Sequence, residues 1–294
     1  MIIVKLIGGL GNQMFQYATA RRLAVKHSTL LKLDVTGFKE YKLHKYGLHN
    51  FRILESLATQ SEIENIRGNS RNIFNRLKRK FRSTIGLNNS TNSKLIIEKQ
   101  FHFDPEILEA PNNVYLDGYW QTEKYFTDIS DILHREFIIK YQQDIQNNKL
   151  SDLIQSTESV SLHVRRTDYV QNALTNKIHG TCDKDYYDRS VRYIGNRLTN
   201  PRIFIFSDEP EWGKNNLKFN FPMTFVDCND VYRNYEDLRL MSMCKHNIIA
   251  NSSFSWWGAW LNNNPYKLII APRRWYIDES RNSKDLIPEI WMKL

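Results

Sequence analysis

The chain opens on a run of apolar and β-branched positions (Ile2, Ile3, Val4, Leu6 and Ile7 around one lysine) that reads as a buried first strand. An amphipathic pattern over 12–27 predicts a helix, and 30–33 a second strand. In the second half, short apolar runs at 160–164, 202–206, 223–226, 247–250 and 267–270 read as strands. Helical patterns at 184–198, 209–217, 235–244 and 253–262 lie between them. Strands alternating with helices of this length predict an α/β fold with parallel sheets covered on both faces. The polar stretch 141–149 holds almost nothing to bury and predicts a boundary between domains 1–150 and 151–294. A second irregular stretch, 86–93, is rich in Asn and Ser and reads as a loop. Two α/β domains facing each other across a cleft is the economical architecture, and ligands in such sheets bind outside the carboxyl ends of the strands.

Composition narrows the class. A chain of 294 residues with 41% hydrophobic, 13% aromatic and 25% charged residues is globular and long enough to bury a core without disulfides or metal. Cys182, Cys228 and Cys244 are odd in number, far apart and include no C-x-x-C pair, so neither a disulfide framework nor a cysteine zinc site is expected. No apolar run approaches the length of a membrane span, and the N-terminus lacks the features of a signal peptide. The expectation is a cytoplasmic, reduced enzyme or binding protein.

The net charge of +9 is concentrated. Arg67, Arg71, Arg76, Lys78, Arg79, Lys80 and Arg82 fall in a stretch without an acid, and the rest of the chain carries only +2. Ile73, Leu77 and Phe81 recur there at every fourth position, with Phe74 beside them. A basic amphipathic helix over 67–82 suits peripheral contact with an anionic membrane; it equally suits a solvated helix packed on its own domain. Nucleic acid is not expected: it would want basic residues and stacking aromatics interleaved over a broad surface, and the charge here is local.

Four short motifs carry candidate chemistry. Gly8-Gly9-Leu10-Gly11-Asn12-Gln13 joins the first strand to the first helix, where glycines allow close backbone approach and a helix N-terminus favours an anion. It is neither a P-loop nor a full dinucleotide fingerprint, since Met14 stands where the third glycine belongs, and a plain tight turn would also want these glycines. His163-Val164-Arg165-Arg166-Thr167-Asp168 ends a buried strand, and adjacent arginines there are costly unless anions meet them. Arg165 reads as a phosphate ligand and Arg166 as the partner of an acid such as Asp168, with a structural salt bridge for both as the alternative. Ser207-Asp208-Glu209 ends another strand; Asp208 can accept from a base such as guanine or cap the following helix. In Asn251-Ser252-Ser253-Phe254-Ser255-Trp256-Trp257 the serines open a helix and can meet a second phosphate oxygen, while Trp256, Trp257 and Trp260 read as core. Asp183-Lys184-Asp185 resembles a metal clamp but opens a helix, where acids are favoured by the dipole. With no histidine cluster either, no metal is expected.

Together, GGLGNQMFQY at 8–17, HVRRTD at 163–168, Ser207-Asp208-Glu209 and NSSFSWW at 251–257 resemble the bacterial alpha-1,2-fucosyltransferases in order and spacing, over nearly the whole chain. The HVRR and Ser-Asp segments are also similar to those of alpha-1,6- and protein O-fucosyltransferases. The resemblance implies a GT-B-like fold of two Rossmann-like domains, GDP-fucose as donor, inversion at the sugar carbon, and no metal or other cofactor. It implies that Arg165 holds the β-phosphate and that His163 and Asp208 meet the guanine or ribose. Ser252, Ser253 and Phe254 would line the diphosphate and nucleoside pocket, with Gly11 and Asn12 near the fucose. The implied acceptor is the 2-hydroxyl of a terminal β-galactose, often in a surface polysaccharide assembled on a lipid carrier. One departure stands out. The alpha-1,6 enzymes carry a glutamate where this chain has residues near Ala173, without an acid. The base is therefore open among Asp168, Asp34 and none, leaving-group stabilisation by Arg165 doing the work in the last case. Another fucosyl linkage, and a non-catalytic nucleotide-sugar or glycan binder, are the competing readings.

Overall fold

The structure, a computed structural model, describes residues 1–41, 43–67, 94–278 and 280–294. Apart from Arg67, the basic stretch 67–82 and the loop 86–93 lie outside the described residues. Arg67 closes the Gln60–Arg67 helix, with its guanidinium 5.1 Å from the centre of the Tyr115 ring.

Among the described residues the strands form two sheets, every pairing parallel. In the first, β1 (Ile2–Lys5), β2 (Leu31–Asp34), β3 (Leu95–Ile97) and β4 (Val114–Asp117) take the order β2-β1-β4-β3. The second contains β5 (Glu158–Val164), β6 (Pro201–Ser207), β7 (Met223–Val226), β8 (His246–Ile248), β9 (Ile269–Ala271) and β10 (Met292–Lys293) in the order β10-β9-β8-β5-β6-β7. The expected strands are present with ends moved by a residue or two. β3, β4 and β10 were not expected: two of them are three residues or fewer, and β4 follows Asn112-Asn113 without a long apolar run.

Two corrections concern the helices. The first helix spans Leu10–Lys26 with Gly9 at its N-cap, so most of the glycine motif is helix rather than loop. The polar stretch 141–149 is not a bare linker. Asp144 caps a helix over Ile145–Ser156 by accepting from Asn147 N at 2.8 Å, and the buried Asn147 exchanges amide hydrogen bonds with Asn229. Ile154 of this helix packs with Phe204, Phe206 and Leu240 of the second sheet's layer. The expected cut after residue 150 falls inside it, because a polar sequence can still bury amides that satisfy one another.

The halves meet over an apolar seam. Phe15 lies 4.5 Å from Trp256 and 5.0 Å from Trp257, and Phe126 stacks on Trp257 at 5.4 Å. The three tryptophans of the Ser253–Trp260 helix are buried as expected, but they join the two halves instead of serving one. The indole of Trp257 donates to the Gly11 carbonyl at 3.0 Å, which fixes the glycine turn against this helix.

Candidate active site at the facing strand ends

In the second sheet the strand order reverses at one point, and that is where an open α/β sheet forms its ligand crevice. The reversal lies between β5 and β8, whose carboxyl ends lead into Arg165 and into Asn251-Ser252-Ser253. In the first sheet β1 and β4 are the central pair, and they lead into Gly8–Asn12 and into Tyr119-Trp120-Gln121. The two places touch. Asn12 Oδ1 accepts from Ser253 Oγ at 2.7 Å and from Gln121 Nε2 at 2.7 Å.

On the second sheet's side the charges are paired. β5 and β6 run in register with Val164 opposite Ser207, so the next residues along each chain face one another. Arg165 Nη1 lies 3.2 Å from Asp208 Oδ2, and Arg166 Nε donates to Glu209 Oε2 at 2.7 Å. Among the described residues the partner of Arg166 is Glu209, and its guanidinium also covers the Trp212 ring at 4.3 Å. Asp208 does not cap the helix that follows it. Its carboxylate accepts from the backbone N–H of Arg166 at 2.9 Å and of Thr167 at 3.1 Å, capping the neighbouring Thr167–Gln171 helix. The Asp168 side chain lies outside the described residues.

His163 is buried under this cluster, 5.8 Å from the Phe254 ring, and its Nδ1 is without a hydrogen-bond partner among the described residues. Burial pushes its pKa down to about 4, with Asp208 opposing and Arg165 adding to the shift, so the ring is neutral at pH 7. Ser252 is the N-cap of the Ser253–Trp260 helix, its Oγ accepting from Phe254 N at 3.4 Å. Asn251 braces the turn by donating to the carbonyls of His179 at 2.9 Å and Trp275 at 3.2 Å. Asp183 likewise caps its own helix through Tyr186 N at 2.8 Å, which gives the Asp-Lys-Asp sequence a structural role.

On the first sheet's side the glycines answer to the protein. Gly8 has a φ of +77°, a left-handed conformation that disfavours any side chain. A methyl group on Gly11 would stand 2.4 Å from the carbonyl carbon of Ser253, so its close approach is to the other half's backbone. Asp34 is closed off as a base: it is 3% exposed and accepts from Thr36 N at 2.9 Å, Thr36 Oγ1 at 2.6 Å and Tyr115 OH at 2.6 Å. Burial and then Asp34 hold the Tyr115 phenol far above its usual pKa. Glu98, Gln121 and Tyr276 went unnoticed in the sequence. Gln121 Oε1 accepts from Tyr276 OH at 3.1 Å, so the amide ties both halves, yet none of the three lies in a charged or glycine-rich motif.

This geometry coincides with a family assignment. The profile of glycosyl transferase family 11 matches residues 1–294. The chain belongs to glycosyl transferase family 11. An alpha-1,2-colitosyltransferase of Escherichia coli is 37% identical, over 100% of this chain and 99% of that protein. The O-antigen biosynthesis glycosyltransferase WbnK of Escherichia coli is 33% identical, over 98% of this chain and 99% of its own length. Among solved structures, the alpha-1,6-fucosyltransferase NodZ from Bradyrhizobium, soaked with GDP-fucose, superposes with a TM-score of 0.50 at 13% identity, over 88% of this chain and 92% of that one. That likeness concerns the fold, which is the GT-B arrangement of two facing α/β domains. In this family 11 glycosyltransferase, no helix of the described residues is long and apolar enough to cross a membrane.

Proposed function

We propose that this glycosyltransferase moves L-fucose from GDP-fucose to the 2-hydroxyl of a terminal β-galactose, with inversion and without a metal, in the assembly of a bacterial O-antigen. The observation that carries the reading is Arg165 and the N-terminus of the Ser253–Trp260 helix standing together at the β5/β8 switch point. A guanidinium fork and a helix N-terminus both favour a diphosphate, and both stabilise the charge that grows on GDP as the sugar bond breaks. Asp208, which meets Arg165 through Nη1, keeps two backbone N–H donors of its own and so stays solvated by the protein when Arg165 engages a phosphate. With Asp34 closed off, two routes remain for the step: Asp168 as the base, or departure of the leaving group without a strong base. The names of the two bacterial relatives support the linkage and the pathway.

Colitose, which is fucose without its 3-hydroxyl, is a second donor sugar, favoured by the 37% identity to a colitosyltransferase. Competition between GDP-fucose and GDP-colitose on lactose, in the presence of EDTA, decides between them. Fucosyl transfer with the new bond at the galactose 2-position supports the first reading; transfer from GDP-colitose alone moves the assignment to the second. Binding of both donors without transfer to any β-galactoside would overturn the enzymatic reading. We further propose that residues 67–82 hold the enzyme at the inner face of an anionic membrane, which predicts salt-sensitive binding to anionic vesicles that is lost when Arg76, Lys78, Arg79 and Lys80 become glutamine.

A further inference from the structure

The turn after β4 is unusual. Trp120 is a bulky residue, 1% exposed, with a φ of +57°, a conformation that such residues rarely adopt. The backbone N–H groups of Tyr119 and Trp120 point together at one carboxylate: Glu98 Oε2 accepts from Tyr119 N at 2.7 Å and Oε1 from Trp120 N at 2.9 Å. Successive N–H groups around a left-handed residue form a concavity that favours an anion, and here the anion is supplied by the chain itself. Glu98 stands immediately after β3, and its own N–H donates to Asp117 O at 2.9 Å, so the carboxylate is delivered by the β3/β4 pairing. The fit is tight. A methyl group on Gly118 would come within 2.4 Å of Glu98 Cβ and 2.8 Å of the Trp120 ring. The Trp120 ring is held edge-on to Tyr125 at 5.8 Å. Burial raises the pKa of the Glu98 carboxyl against the two N–H bonds that lower it.

What this turn sets is the residue after it. Gln121 donates to Asn12 and accepts from Tyr276, and Asn12 in turn accepts from Ser253 at the N-terminus of the helix proposed to face the diphosphate. We propose that Glu98 is a positioning residue for glycosyl transfer: its carboxylate fixes the left-handed turn at Tyr119-Trp120 so that Gln121 can bridge Asn12 of one half and Tyr276 of the other where the carboxyl ends of β1 and β4 meet the β5/β8 switch point. Glu98 acts through Gln121, and its loss misplaces the first half's side of the cleft while leaving the donor's contacts in the second half intact. The proposal rests on the reading of this cleft as the site of transfer.

A double-mutant cycle of Glu98→Gln and Gln121→Met tests it, with kcat, KM for lactose and GDP affinity measured on all four proteins. Each single change should lower kcat about tenfold or more, as loss of orientation does, with GDP affinity within about twofold of wild type. The double variant should fall no further than the worse single one, because both changes break the same bridge. Wild-type kcat in Glu98→Gln, losses that multiply in the double variant, or GDP affinity falling in step with kcat would each overturn the proposal. Should Glu98→Gln fail to fold, Gln121→Met leaves the turn intact and must by itself lower kcat with GDP affinity unchanged; wild-type kcat there overturns the proposal equally. Absence of transfer by the wild-type chain from both GDP-sugars would strike the function instead. The Glu98–Gln121 coupling is then read from thermal unfolding of the same four proteins, where additive shifts contradict it and non-additive ones support it.

Discussion

The two faces of the cleft solve different problems with different chemistry. At the β5/β8 switch point two arginines and two carboxylates interlock beside a helix N-terminus, over a buried neutral histidine. At the carboxyl ends of β1 and β4 the bridging groups are neutral: the carboxamides of Asn12 and Gln121 and the hydroxyls of Ser253 and Tyr276, held by one carboxylate that faces backbone N–H groups. A charged face suits the fixed charge of a nucleoside diphosphate, and a face built on oriented amides suits a neutral sugar hydroxyl that must be aimed. Charge can be read from residue type alone, whereas aim depends on which backbone turns are adjacent.

The largest effect should come from the charged face. Arg165→Ala is expected to lower the rate of transfer at least a hundredfold, about 3 kcal/mol of transition-state stabilisation, in steady-state assays. Unchanged turnover would remove the charged half of the comparison. Next is the contact between the faces. Gly11→Ala places a methyl group 2.4 Å from the Ser253 backbone, and should destabilise the chain by about 2 kcal/mol in thermal or denaturant unfolding.

A smaller effect concerns pH. Asp237, beside Asn229 in the second half, has its pKa raised to about 7, chiefly by burial. The native state then keeps a proton that the unfolded chain releases near the ordinary carboxyl pKa. Stability present below pH 4 is therefore lost as pH rises through 7. Asp237→Asn retains the acceptor for Asn229 and drops the charge, so it should stabilise by about 1 kcal/mol at pH 8 and by nothing at pH 4, read from unfolding midpoints. Smallest of all, Gly9→Ala brings a methyl group to 3.5 Å from the His44 ring, an ordinary contact, and should cost only about 0.5 kcal/mol as an N-cap change. A large loss at Gly9 together with a small one at Gly11 would invert the assignment of the glycines.

Much of the charged face was legible in the sequence because its residues sit in contiguous motifs at strand ends. Arg165, Asp208 and Ser252 are where those motifs place them. The pairing was not legible: Arg166 meets Glu209 because β5 and β6 lie side by side with Val164 opposite Ser207, and a register of two distant strands leaves no local mark. The neutral face was largely hidden for the same reason. Glu98 and Gln121 come together through the β3/β4 pairing, and β3 is only three residues long. Asp34 shows the converse error. An acid at the end of a strand looked available, but Thr36 and Tyr115 donate three hydrogen bonds to its buried carboxylate, and Tyr115 comes from a strand that the pattern of apolar residues did not reveal. The helix over Ile145–Ser156 was hidden by polar side chains that find partners on another element.

The most direct test of the division of labour is a calorimetric titration of GDP, in EDTA, into the wild-type chain, Arg165→Ala and Gln121→Met. Wild type should bind, Arg165→Ala should bind about tenfold or more weakly, and Gln121→Met should stay within about twofold of wild type. Equal GDP affinity in wild type and Arg165→Ala would contradict the division of labour.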